Sequence, residues 1–85
     1  VFPDLTQEER KKMVARISQL TEKFREEVRA IRREVRDDIK AKEKAKELSE
    51  DEEHRLEDEL DKLTDRHIAA INQAFEAKEK EILSL

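Results

Sequence analysis

Apolar residues recur every three or four positions through two long stretches of this chain, and that periodicity constrains the fold more than any other feature. The first stripe is Met13, Ile17, Leu20, Phe24, Val28, Ile31, Val35 and Ile39. The second is Leu56, Leu60, Leu63, His67, Ile71, Ala74 or Phe75, and Ile82. Steps of three and four put the members of each set on one face of an α-helix. No window alternates with period two, so no substantial strand is expected. The periodicity also decides against disorder, which a chain with 49% charged residues would otherwise suggest.

Capping signals set the limits of the two helices. Thr6 followed by Glu9 fits a capping box, as does Ser49 followed by Glu52. Acidic residues crowd the first turn after Ser49, where the helix dipole favours them. The pattern predicts helices over about 6–46 and 50–83, with residues 46–48 reversing the chain. So short a connection makes antiparallel neighbours. The expected fold is all-α: a long antiparallel two-helix hairpin, in which Phe24, Val28, Ile31 and Val35 face Leu63, His67 and Ile71. Each stripe is wide for a two-helix seam, so a third helix or a second copy of the hairpin is the natural cover. On that reading the hairpin is two thirds of a three-helix bundle. Residues 1–5, interrupted by Pro3, read as an extended lead-in. The first residue is Val1, which suggests a processed chain or a piece of a longer one.

Several chemistries are disfavoured by what the chain lacks. It has no glycine, so phosphate-cradling loops, tight hairpin turns and a nucleophile elbow are not expected. It has no cysteine, which removes disulfides, thiolate zinc sites and cysteine catalysis, and is compatible with a reducing cytosol. Catalysis by the many carboxylates would need a pocket that perturbs their pKa values, and a glycine-free hairpin offers no obvious one. No enzyme activity and no cofactor are expected. His54 has Glu50 and Asp58 one turn away on either side, but one histidine with exposed carboxylates binds metals weakly, so no metal site is assigned. His67 stands on the apolar stripe and reads as a packing residue.

The remaining signal is basic. Arg25, Arg29, Arg32, Arg33 and Arg36 line one flank of the first helix. At about 100° per residue, all but Arg33 fall within an arc of roughly 60°, and Arg33 sits at its edge. The chain as a whole carries a net charge of −4, so the stripe is local. Residues 23–36 hold six basic side chains against three glutamates, whereas 47–61 hold nine carboxylates against Arg55. Glu26, Glu27, Glu34, Asp37 and Asp38 lie on other faces of the helix, so the stripe is expected to be free of carboxylates. Guanidinium groups present a planar donor fork suited to phosphate oxygens, and a row of them suits a nucleic-acid backbone. Three Phe and no Trp or Tyr leave little for base stacking. Recognition is therefore expected through phosphates and RNA shape. The alternative is a structural coiled-coil hairpin whose arginines match an acidic protein partner.

Several segments are similar to one family. Pro3-Asp4-Leu5-Thr6, Val28-Arg29-Ala30-Ile31-Arg32-Arg33-Glu34, Lys46-Glu47-Leu48-Ser49-Glu50-Asp51-Glu52, Lys62-Leu63-Thr64-Asp65 and Ala77-Lys78-Glu79-Lys80-Glu81-Ile82 occur in order. Together they resemble the C-terminal part of bacterial and organellar ribosome recycling factors. The resemblance implies a two-domain protein of which this chain supplies helices two and three of the helical domain, with residues 1–5 as the linker from a small second domain. It implies binding to large-subunit ribosomal RNA through Arg25, Arg29, Arg32 and Arg33, with Arg36 where the family more often has a neutral residue. It also implies joint action with elongation factor G, which contacts the domain absent here, in splitting post-termination ribosomes. The implied location is the cytoplasm, or an organellar matrix or stroma; independently of the resemblance, no apolar run approaches 18 residues, so no membrane span is expected.

Overall fold

A computed structural model describes residues 5–84. The lead-in expected at 1–5 lies outside the described residues except for Leu5. Two helices account for nearly everything else: α1, Gln7–Lys44, and α2, Glu50–Leu83. They pack side by side as an antiparallel hairpin of 63 × 17 × 15 Å. The expected all-α hairpin is the observed fold, and the described residues contain no strand.

Both helix starts are capped by the expected residues, but the box expected at Thr6 is only half formed, since Glu9 does not reach back to the Thr6 amide. The Thr6 hydroxyl accepts from the Glu9 amide at 3.1 Å, and Glu8 and Glu9 occupy the first turn of α1. Ser49 and Glu52 form the complete box. The Ser49 hydroxyl accepts from the Glu52 amide at 3.1 Å, and the Glu52 carboxylate accepts from the Ser49 amide at 3.3 Å. Lys42 and Lys44 sit in the last turn of α1, where the dipole favours cations.

α1 ends two residues before the expected position because the reversal needs a left-handed residue. Lys46 has φ 63°, and its amide donates to the Glu43 carbonyl at 2.9 Å. The Glu47 amide donates to the Lys42 carbonyl, also at 2.9 Å. These two bonds make a Schellman stop, a position that glycine usually fills. The chain thus turns sharply without glycine, at a conformational cost of roughly 1 kcal/mol at Lys46. Lys46→Gly is expected to stabilise the hairpin by about 0.5–1 kcal/mol, read as a higher urea midpoint with an unchanged slope. A lower midpoint would show that the lysine side chain compensates for its backbone.

The seam departs from the expected pairing of apolar stripes. Its buried residues are Thr21 and Ile39 of α1 with Thr64 and Ile82 of α2; Ile39 is 8% exposed and Ile82 3%. Phe24, Ile31 and Leu63, expected inside, are 48%, 59% and 51% exposed. Val28 and Ile71 are half-buried, Val35 is exposed at the margin, and His67 is exposed. By helical geometry the seam lies about 50° round α1 from the middle of the apolar stripe, toward the arginines. Threonine suits this line because its hydroxyl can be satisfied within its own helix. Thr21 donates to the Ile17 carbonyl at 2.7 Å, and Thr64 to the Leu60 carbonyl at 2.8 Å. Both threonine hydroxyls are thereby satisfied, whereas Arg36 Nε beside the seam is buried without a partner. One flank of the apolar stripe therefore packs on α2, and the other, with Met13, Leu20, Phe24 and Ile31, stays open.

Candidate nucleic-acid interface

All five arginines project from the middle of α1, on the side of the seam opposite the open apolar flank. Because α1 turns the border between its two stripes toward α2, three of the arginines reach across the hairpin. Arg25 donates through Nε to Asn72 Oδ1 at 2.8 Å and through Nη1 to Glu22 Oε2 at 2.8 Å. Arg32 donates through Nε to Asp61 Oδ1 at 2.9 Å, and its Nη2 lies 2.8 Å from the same oxygen. Arg36 Nη2 stands 3.8 Å from Asp61 Oδ2. Arg29 stays on its own helix, with Nη1 3.4 Å from Glu22 Oε1. Arg33 is exposed and has no ion pair among the described residues.

The expectation that no carboxylate enters the stripe is corrected by these contacts. Glu22 enters it from the preceding turn of α1, and Asp61 from α2. Glu22 was legible from its spacing to Arg25 and Arg29. Asp61 and Asn72 were not, because their approach depends on the register of the two helices. The pairs do not abolish the stripe's capacity for anions. They are exposed or half-exposed, and such pairs contribute at most about 1 kcal/mol. A phosphate can therefore share or displace a carboxylate here.

Glu22 records the field of the stripe. Its hydrogen bond from Arg25 and the charge of that guanidinium, with smaller help from Arg29, hold its carboxyl below the usual glutamate range. A depressed folded pKa stabilises the fold above the unfolded pKa, and this is lost as pH falls through the folded value. The contribution is small because the carboxylate is open to solvent. In an NMR titration the Glu22 midpoint should lie below the ordinary glutamate value, and Arg25→Ala should move it upward. A midpoint unmoved by that change would show that Arg25 does not hold the carboxylate.

The histidines fall differently from the sequence expectation. His54 meets Glu53 and Glu57, with possible ligand atoms within 4.8 Å of one another. These are neighbours on an acidic helix surface, and one imidazole with carboxylates there makes a weak cation site at most. His67 lines an open groove with Val28, Ile31, Leu60 and Leu63. No described helix is long and apolar enough to cross a membrane.

The chain is similar to one set of known proteins throughout. The family described as Ribosome recycling factor matches residues 1–83. The ribosome-recycling factor of Erythrobacter litoralis is 49% identical over 98% of this chain and 45% of its own length. That of Zymomonas mobilis is 51% identical over 96% of this chain and 44% of its own, and that of Fervidobacterium nodosum 48% over 96% and 45%. The chain thus spans less than half the length of these relatives. No solved structure matches it.

Proposed function

This chain belongs to the ribosome recycling factor family, and we propose that its hairpin is the part that lies against large-subunit ribosomal RNA. The arginine stripe carries this reading: five guanidinium groups along one flank of a 38-residue helix, in a chain that is otherwise acidic. Arg29 and Arg33 are the most accessible, and Arg25, Arg32 and Arg36 add partly shielded donors beside the seam. Contact is with phosphates, because the three Phe offer little stacking surface. The acidic turn points the rod: the carboxylates of residues 47–59 repel a polyanion, so the RNA runs along the middle of α1 rather than over the turn.

In the complete protein this segment serves as helices two and three of a three-helix domain, with residues 1–5 leading in from a second domain. That second domain meets elongation factor G, and the two factors together split post-termination ribosomes. The protein's own part is binding and transmission of force, with no catalytic residue, metal or cofactor. It works where ribosomes are, in the cytoplasm or in an organellar matrix or stroma. The open flank with Leu20, Phe24, Ile31 and Leu63 favours a packing partner as well. The remaining helix of the domain fits it, and in the absence of that helix a second hairpin does.

Binding to isolated large ribosomal subunits over a range of salt concentrations tests the RNA reading. About four phosphate contacts give log affinity a slope near −3 against log salt. A flat dependence, or capture of a protein partner with no RNA affinity, would replace it with a purely protein-binding hairpin.

A further inference from the structure

Two side chains of α2 grip the arginine stripe at equivalent atoms. Asn72 Oδ1 accepts from Arg25 Nε at 2.8 Å, and Asp61 Oδ1 accepts from Arg32 Nε at 2.9 Å. Asn72 and Asp61 lie about three turns apart, which returns them to the same face of their helix. Both bonds join α1 to α2, and both are partly buried. An arginine side chain has several rotatable bonds, so a free guanidinium loses much freedom when it meets a ligand. A bond at Nε removes most of that freedom beforehand. It also leaves one terminal nitrogen of each guanidinium usable: among the described residues Arg25 Nη2 and Arg32 Nη1 have no partner, while Arg25 Nη1 is taken by Glu22 and Arg32 Nη2 by Asp61.

We propose that Asn72 and Asp61 are positioning residues for phosphate recognition, holding Arg25 and Arg32 by Nε so that their outer N–H groups are set before RNA arrives. This rests on the RNA-binding reading above. The two residues differ in one respect. Asn72 orients without changing charge. Asp61 orients Arg32 and also lends a negative charge to Arg32 and Arg36, which weakens their pull on a phosphate. Orientation and neutralisation can therefore be separated at position 61.

The test compares Asp61→Asn with Asp61→Leu in binding to isolated large ribosomal subunits at low salt. Both remove the same charge, and only the asparagine keeps an oxygen for Arg32 Nε. Asp61→Leu is expected to bind about three- to tenfold more weakly than Asp61→Asn, because the guanidinium must be ordered on binding. The difference should vanish when each is combined with Arg32→Ala, a coupling that general loss of structure would not produce. Asn72→Leu should weaken binding by a similar factor with the salt slope unchanged, and should add nothing to Arg25→Ala. Equal binding by the two position-61 variants, beside a parent chain that binds, would overturn the positioning role alone. A parent chain that is helical and monomeric under the assay conditions, by circular dichroism and sedimentation, and still does not bind would overturn the RNA reading and this proposal with it.

Discussion

Arg29→Ala or Arg32→Ala is expected to weaken binding to large ribosomal subunits by about 1–3 kcal/mol, or roughly 5- to 150-fold, the range for a lost charge-assisted bond. Each change should also flatten the salt slope by about one. The fold should hardly notice. Arg29 meets Glu22 at 3.4 Å in the open, and Arg32 meets an Asp61 that is itself 40% exposed. Such pairs are worth at most about 1 kcal/mol, and the abandoned carboxylate can be rehydrated. Binding and melting temperature should therefore separate. Glu52→Gln or Glu53→Gln, beside the acidic turn, should leave affinity nearly unchanged. Equal losses in the turn and in the stripe would mean that overall charge, and not this row of arginines, governs the interaction.

The second large effect concerns the open flank. Ile39→Ala removes a buried side chain from the seam and should cost about 2–4 kcal/mol. Ile31→Ala removes one that is more than half exposed, and should cost the isolated hairpin less than about 1 kcal/mol. The order changes once something covers the flank. At about 25 cal/mol per Å², burying Met13, Leu20, Phe24, Ile31 and Leu63 together offers several kcal/mol for association. Alone, the chain is expected to be marginally stable or to self-associate, and its melting temperature to rise with concentration. A peptide matching the first helix of a relative's domain should raise it further, and Ile31→Ala should then become costly. Sedimentation and melting across a concentration series check this. A stable monomer whose melting is independent of concentration and of the peptide would show that two helices suffice.

Some of this was readable residue by residue. Periods of three and four, with Ser49 and Glu52 as a capping box, place α2 where it is found, since both signals act within one or two turns of chain. The reversal at 45–49 was readable as a position but not as a conformation. With no glycine present, local preference did not indicate that Lys46 would take the left-handed stop. The arginine stripe was likewise visible, because a shared face follows from helical spacing alone. Its partners were less so. Asp61 looked like one carboxylate among nine in an acidic segment, and Asn72 carried no signal.

What the sequence determined by itself, then, is everything that depends on a helix being a helix: two amphipathic rods, their caps, a short reversal, a basic flank and an acidic end. These follow from spacing, propensity and local hydrogen bonds. Only the tertiary structure decided how far each rod rotates about its axis. An apolar stripe wide enough for two neighbours fits one partner at more than one angle, and periodicity does not choose among them. The angle adopted brings Thr21 and Thr64 into the seam, leaves Phe24 and Ile31 outside, and carries Arg25 and Arg32 to Asn72 and Asp61. The threonines can occupy that line because their hydroxyls bond within their own helices, at 2.7 and 2.8 Å, an arrangement that no count of apolar residues anticipates.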